Sequence, residues 1–401
     1  MTSHRHSRFL GRPPRFGRVV WGCKLNLDEC PAFLMPRLRL FLSADIVGST
    51  ALKQSPFAQS KVDQRASWFS KIQGFYFEAH RAFRKEFDDH RASSVDDALV
   101  GPDPELWKTI GDEVLFIKEL SDHRQLIYTL RCWMRAVDSM RSFIKKGNSR
   151  LDVKCTAWIA GFPFRNSEVA VESGASPSSS GSGDWFLESG KILNRIYAKE
   201  PDVDAIVDYI GPSIDIGFRL SQFSSSRKFI ISVDIAYILA IANPGQMVKD
   251  PVFAVYYDQS DILKGVLGGL RYPVFWLDLS PSDSLDRYED TLTGLAAVDR
   301  DRLREYCNGF YDEYTAYTFP PFIVSKTEQQ IRDKPPWYES DHSILVRNFT
   351  VEKNEEQNTG NLEPGEAEAE AITISELSPQ DIADLENLLV DLLKGGSADI
   401  N

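Results

Sequence analysis

The chain has 401 residues, 42% of them apolar, enough for one large or two ordinary domains and a sizeable buried core. Its formal net charge of -12 excludes wrapping of nucleic acid, which needs a concentrated basic surface, so any phosphate chemistry must use a local site or a metal. No apolar run approaches the ~18–20 residues of a membrane span and no export leader opens the sequence, which predicts a cytoplasmic protein with no membrane partner.

Residues 1–35 are basic, punctuated by Pro and Gly and aperiodic, the mark of a disordered extension; Met35, directly before the first strand, is a candidate start. "RLRLFLSAD" is a strand, and Trp68, Ile72, Phe75 or Tyr76, Ala79 and Phe83 then recur at helical spacing as one apolar face. "ELWKTIGDEVLFIKEL" predicts two strands joined by a turn at Gly111 and Asp112. A second amphipathic helix follows on Leu126, Leu130, Trp133, Val137 and Met140, then the strand "LDVKCTAWIAG" and a low-complexity insertion, "SGASPSSSGSG". "DAIVDYIGPSIDIGFRLSQF" is a strand leading through a loop into a helix that carries Arg219. "KFIISVDIAYILAIA" is a strand and helix, and "DILKGVLGGLRYPVFWLDL" a turn and closing strand.

Interleaved strands and helices over 36–280 predict an α+β domain, a mixed sheet covered by helices. Residues 281–350 form an irregular, aromatic-rich C-terminal annex with several helical turns, and 351–377 an acidic linker. Residues 378–396 carry the signals of a terminal amphipathic helix, with Ser378 as N-cap, Pro379 at its first position and Gly395 as stop. Such a helix serves either a partner or its own domain. The five cysteines, Cys23, Cys30, Cys132, Cys155 and Cys307, are odd in number and lack CxxC spacing, so they are expected as free thiols.

"FLSADIVGST" runs apolar until it meets Asp45. This acid closes a strand and Asp112 sits in a hairpin turn, so both are able to project from one sheet edge. Two carboxylates there, with a neighbouring backbone carbonyl such as that of Ile46, suit Mg²⁺ or Mn²⁺, which bind few protein oxygens and take the rest from substrate phosphates. Either acid alone is an ordinary solvated aspartate; the pair, in this order, points to a cation.

These motifs resemble those of the class III nucleotidyl cyclases. "FLSADIVGSTAL" is similar to their first metal strand, and "WKTIGDEVLF" to their metal hairpin with Lys108 at the base-reading lysine. "VDYIGPSIDIGFRLSQ" is similar to their next loop and helix, and "ILKGVLGGLRYPVFWL" to their final Lys-Gly turn. The resemblance implies the cyclase catalytic fold and two Mn²⁺ or Mg²⁺ ions per site on Asp45, Ile46 and Asp112. It implies Asp208 as the base-reading acid, Arg219 steadying the phosphate in flight and Lys264 on the triphosphate. It further implies a nucleoside triphosphate substrate and a head-to-tail homodimer whose sites take residues from both protomers. Where the family carries a ribose-orienting asparagine, this chain has Asp215. Either Asp215 accepts from a ribose hydroxyl, or the loop register differs.

Lys108 with Asp208 offers a donor and an acceptor, which suits adenine, cytosine or uracil and argues against guanine. Trp107 and Tyr209 flank the pair as bulk that would narrow the site for a pyrimidine. The compact unit, its "SADIVGSTALKQ" and "LWKTIGDE" phrasing and the annex resemble the Pycsar antiphage pyrimidine cyclases, which implies UTP, then CTP, as substrate and a cyclic nucleotide acting on a separate effector. The alternatives are an adenylate cyclase and a catalytically dead nucleotide-binding scaffold.

Overall fold

The computed structural model describes residues 30–54, 67–94, 99–146, 150–172, 184–201, 203–241, 253–280, 284–324 and 334–360. The chain divides into two compact units, 1–176 with 188–343, and 177–187 with 344–401. In the second, the rings of Phe186 and Phe349 meet edge to face at 6.0 Å. Apart from Trp185–Leu187 of one helix and the stretch from Ile344 to Gly360 of another, everything below belongs to the first.

The architecture is α+β. Nine strands run in chain order among the described residues: β1 (Arg37–Val47), β2 (Glu105–Ile110), β3 (Glu113–Leu120), β4 (Asp152–Phe162), β5 (Ser167–Glu172), β6 (Ala205–Ile210), β7 (Lys228–Ile231), β8 (Val255–Ile262) and β9 (Arg271–Asp278). Seven of them form one mixed sheet in the order β2-β3-β1-β4-β7-β9-β8, antiparallel except where β4 meets β7; β5 and β6 make a separate antiparallel ribbon. The helices are α1 (Ser49–Gln54), α2 (Ser67–Ser93), α3 (Arg124–Lys145), α4 (Trp185–Tyr197), α5 (Pro212–Leu220), α6 (Val233–Ile241), α7 (Ser284–Thr293), α8 (Arg300–Glu313) and α9 (Tyr338–Gly360).

Strand β1 is largely buried on both faces because both are covered. With a side-chain period of two, Leu38, Leu40, Leu42, Ala44 and Ile46 enter a core shared with Phe75 and Phe83 of α2 and Trp133 and Met140 of α3. Phe41 enters a second core with Leu115, Trp158, Phe162, Tyr209 and Ile214, under α5 and the ribbon. Ser43 and the candidate metal ligand Asp45 continue this second face, as do their cross-strand partners Thr156 and Lys154 on β4.

The expected strands and helices from Arg37 to Asp278 are present, and four elements join them, the first being the short helix α1 directly after β1. Strand β5 and helix α4 flank the Ser-rich insertion, and β8 is a polar edge strand whose "VYYDQSDI" lacks an apolar face. The join from β6 to α5 is the single residue Gly211 rather than a loop. The annex is more regular than its composition suggests. Asp299 caps α8 by accepting from the N–H groups of Asp301 and Arg302, both at 3.1 Å, and Leu303, Cys307, Phe310 and Tyr311 reach the main core.

Two ends differ from expectation. Cys30 to Met35, assigned to the disordered extension, is ordered: Phe33 and Leu34 are buried, and the Leu34 carbonyl is 2.7 Å from His342 Nε2. Helix α9 runs to Gly360, into the stretch expected as acidic linker. Residues 1–29, 361–377 and the terminal helix at 378–396 lie outside the described residues, as does Cys23; Cys30, Cys132, Cys155 and Cys307 are free thiols. Among the described residues no helix is long and apolar enough to cross a membrane.

One buried charge gives the fold a measurable pH dependence. Lys118 on β3 is almost fully buried, donates to the carbonyls of Val100 (2.9 Å) and Pro102, and lies over the Phe87 ring. Burial lowers its pKa to about 8. Between pH 8 and the unfolded value of about 10.4, the unfolded chain binds more protons than the folded one, so stability rises with pH by up to about 1.4 kcal/mol per unit. Denaturant melts of wild type and Lys118→Met should therefore diverge from pH 8 to 10, the wild type gaining. Parallel curves would show that Lys118 does not titrate in this window.

Candidate functional site

The first cluster forms where β1 ends. Gly48 (φ +86) turns the chain into α1, and Gly111 (φ +66) turns the β2–β3 hairpin beside it. This brings together Asp45, Asp112 and Glu113, the last directly opposite Asp45 in the β1–β3 register. Asp45 pairs with Lys154 at 3.1 Å, and Asp112 with Lys53 at 3.1 Å. Ser49 donates to Asp112, and Ser43 to Glu113. Burial, together with the neighbouring Asp112 charge, raises the Asp45 pKa although Lys154 opposes it. At Asp112 burial pushes the same way but is outweighed by Ser49 and Lys53, and the pKa falls.

Asp45 and Asp112 are thus each paired with an ammonium group, and Glu113 with a hydroxyl, so positive charge offsets the cost of holding the two aspartates near each other. Such a donor set fits a hard divalent cation. Ile46 has its side chain in the core and offers only backbone oxygen. Among the described residues no group of three or more His, Cys, Asp or Glu converges on a metal-sized site.

The second cluster is Lys108 with Asp208. A bulge between Leu106 and Lys108 sets the lysine opposite Leu115. Its ammonium group lies 2.8 and 3.1 Å from the two Asp208 oxygens and 4.0 Å from the centre of the Trp107 ring. The pair is partly exposed, and such ion pairs contribute only about 0–1 kcal/mol, so a ligand with its own donor and acceptor displaces it cheaply.

Tyr209 does not line this cluster. It is 6% exposed, packs edge to face on Phe41, Trp107 and Phe162 at 5.3–5.6 Å, and accepts from Arg39. Successive strand residues point to opposite sides, so Asp208 facing Lys108 sends Tyr209 into the core. The expected substrate contact at Tyr209 is corrected on this ground. Trp107 remains beside the pair.

The third cluster belongs to α5. Gly211 (φ +135) lets the helix begin against the Arg165 carbonyl, where a Cβ would lie 2.3 Å away. Ile214, Ile216, Gly217 and Leu220 face inward, leaving Asp215 and Arg219 exposed one turn apart. Lys264 is exposed before Gly265 (φ +77). The side chains of Arg219 and Lys264 make no hydrogen bond or ion pair among the described residues. A cavity of about 410 Å³ is lined by Asp215, Arg165, Gly265 to Gly268 and Tyr317, so Asp215 and the Lys-Gly turn are neighbours.

Within the chain, then, Asp45 meets Asp112, Lys108 meets Asp208, and Asp215 approaches the turn after Lys264. No hydrogen bond or ion pair among the described residues joins the acid cluster to the other two. Sequence inspection missed Ser49, Lys53 and Lys154; of these, Lys154 was recoverable as the polar interruption in "LDVKCTAWIAG" that mirrors Asp45 in "FLSADIVG".

No protein-family model matches the sequence, and no curated protein matches it. Among solved structures it is similar to the adenylyl cyclase CyaB from P. aeruginosa (10% identity, TM-score 0.39, over 61% of this chain and 94% of that one). It is also similar to the guanylate cyclase domain of RhGC from Catenaria anguillulae in complex with GTP (14%, 0.36, 60% and 96%) and to the guanylyl cyclase Cya2 (10%, 0.34, 66% and 98%). With TM-scores this low, the description of the fold rests on its own strand order and register.

The placement of Arg219 depends on a close approach. Helix α5 crosses β4 with Gly217 against Trp158, and a Cβ at 217 would lie 2.1 Å from the indole. Gly217→Ala should lift the helix and cost about 1–3 kcal/mol, as overpacking of a well-filled core does, read as a lowered denaturant midpoint with unchanged slope. An unchanged midpoint would mean that α5 is not seated on Trp158.

Proposed function

We propose that this chain is a nucleotidyl cyclase that converts a pyrimidine nucleoside triphosphate, UTP before CTP, to the 3′,5′-cyclic nucleotide and pyrophosphate. The observation that carries the proposal is the convergence of Lys108 and Asp208, a hundred residues apart in sequence, into a partly exposed donor–acceptor pair. Coincidence does not readily supply it together with paired aspartates and an exposed arginine that has no partner among the described residues.

The chemistry follows from the residue types. Lys108 donates to a ring nitrogen or carbonyl of the base, and Asp208 accepts from an amine or N3–H. Arg219 neutralises charge on the phosphate as the ribose 3′-oxygen attacks, and Lys264 holds the polyphosphate that leaves. Asp45, Asp112 and the Ile46 carbonyl would hold Mn²⁺ or Mg²⁺, two ions per site; when bound, these supply positive charge to the triphosphate and acidify the attacking hydroxyl. Asp215, beside the Lys-Gly turn, takes the role of acceptor for a ribose hydroxyl.

A homodimer is part of this proposal. Val171, Ile206 and Ile210 are each more than half exposed on the outer face of the β5–β6 ribbon, and Leu106 and Ile110 are exposed on edge strand β2. An apolar surface of this kind around Lys108 and Asp208 suits burial against a second copy, whose Asp45 and Asp112 would complete the site. The pyrimidine preference rests on Trp107 under the Lys108 ammonium group. The phrasing of the first two motifs and the annex supports a messenger role in antiphage defence, the product acting on a separate effector. Adenylate cyclase is the second reading, because the same pair suits adenine and the withdrawal of Tyr209 leaves the site wider than one narrowed by both aromatics.

Purified protein incubated with each of the four nucleoside triphosphates and Mn²⁺ should yield cyclic UMP fastest, with cyclic CMP next. Faster cyclic AMP formation would overturn the pyrimidine and antiphage reading, and no cyclic product from any nucleotide would overturn the cyclase reading. Asp45→Asn and Asp112→Asn, which keep side-chain volume, should each abolish turnover. Mixing Asp45→Asn with Arg219→Ala subunits should restore about one quarter of wild-type activity, since about half of randomly mixed dimers are mixed and each has one intact site. No recovery after demonstrated exchange would mean that the site is built within one chain.

A further inference from the structure

The β5–β6 ribbon is not hydrogen-bonded into the seven-stranded sheet, so no ladder fixes where it presents Asp208. What fixes it is a buried polar cluster. Glu168 on β5 lies directly opposite Tyr209 on β6, and both point at Arg39 on β1. Arg39 pairs with Glu168 at 2.7 Å, donates to the Tyr197 hydroxyl at 2.7 Å and donates to the Tyr209 hydroxyl. Tyr197 in turn donates to Glu168 at 2.5 Å. Arg39 and Glu168 are each under a tenth exposed.

Tyr209 connects this cluster to the exposed side of the ribbon. Its ring and hydroxyl are held in the core, while its backbone N–H donates to Asp208 Oδ1 at 2.9 Å, the same oxygen that lies 2.8 Å from Lys108. An aspartate has a short side chain, so its reach toward Lys108 is set by its backbone, and that backbone is anchored one residue away.

We infer that Arg39 and Tyr209 are positioning residues that fix Asp208 against Lys108 and thereby set which base is accepted; the second half rests on reading Lys108 and Asp208 as the base-reading pair. Neither residue touches the nucleotide. Loosening the anchor leaves the acceptor present but misplaced, which weakens binding of the preferred base more than it slows the chemical step.

Tyr209→Phe tests this by removing one hydroxyl while keeping the ring in the core. It should raise KM for the preferred nucleotide about tenfold with kcat within about twofold, and narrow the preference among UTP, CTP and ATP. In an Asp208→Ala background, Tyr209→Phe should change selectivity no further, because the group it positions is gone. Arg39→Lys, which keeps the charge but loses the planar fork, should act in the same direction. Unchanged selectivity in Tyr209→Phe, or a full additional loss on top of Asp208→Ala, overturns the inference.

A crystal structure of Tyr209→Phe reads the positioning without turnover: Asp208 should withdraw from Lys108. If wild type cyclises no nucleotide while Asp208 has withdrawn in the variant, the functional reading fails and the positioning stands. If the pair stays at 2.8 Å, the positioning is overturned whatever the wild type does.

Discussion

Arg39 is a cation buried between two layers, and the arrangement of everything on that side of the sheet depends on how it is neutralised. Taking such an ion out of water costs several kcal/mol, which only close pairing and hydrogen bonding recover. Burial works to discharge the guanidinium, yet Glu168 and the two tyrosines outweigh it and hold the group more firmly protonated than an ordinary arginine. Removing Glu168 alone would leave the charge uncompensated, a loss of about 3–5 kcal/mol. The net stabilisation on this face comes instead from Phe41, Trp107, Trp158, Phe162 and Tyr209, whose edge or stacked contacts at 5.2–5.6 Å each contribute about 0.5–1.5 kcal/mol beyond burial. The aromatic core holds the layers together. The buried ion pair decides in which register they meet, because Glu168 and Tyr209 reach Arg39 only from one face of the ribbon.

Where apolar residues alternate or recur at helical spacing, the fold was legible from the chain alone. The pattern of β1, the face of α2 on Ile72, Phe75, Ala79 and Phe83, and the turn at Gly111 and Asp112 each have a single structural solution, and each is present. Strand β8 was not legible because an edge strand has one solvated side and pairs through backbone groups that leave no trace in side-chain chemistry. Helix α8 was hidden for a related reason: "RDRLREYCNGFYDE" spends only Leu303, Cys307, Phe310 and Tyr311 on the core, too narrow a stripe to stand out among its charges.

The candidate site divides the same way. Residue types pointed to Asp45 and Asp112, since an acid closing an apolar strand and another in the adjacent hairpin turn are visible as chemistry; Lys108, Asp208 and Arg219 came from the resemblance of their motifs to the class III nucleotidyl cyclases. The orientation of Tyr209 was also within reach. A strand residue next to one that faces a partner must face the other way, so the pairing of Lys108 with Asp208 already excluded Tyr209 from the same surface. Out of reach was Lys53, whose importance depends on which carboxylate it meets, a matter of tertiary register.

Lys53 and Lys154 give the site its electrostatic logic. Three states of compensation coexist within one chain: Asp45 and Asp112 are each neutralised by a lysine, Lys108 and Asp208 neutralise each other, and Arg219 and Lys264 are left without a partner among the described residues. The unpaired cations favour an incoming anion, while the lysine-bound acids admit a metal only if their ammonium groups withdraw. Lys53 and Lys154 are long, flexible and partly exposed, so each is able to swing from a carboxylate into water at small cost. In the proposed function, binding of an anion at Arg219 and of cations at the acids would be complementary events: each leaves behind charge that the other satisfies. On the proposed reading, a nucleotide arriving with its metal ions would bring both at once, without requiring either to be stranded in the partly buried site first.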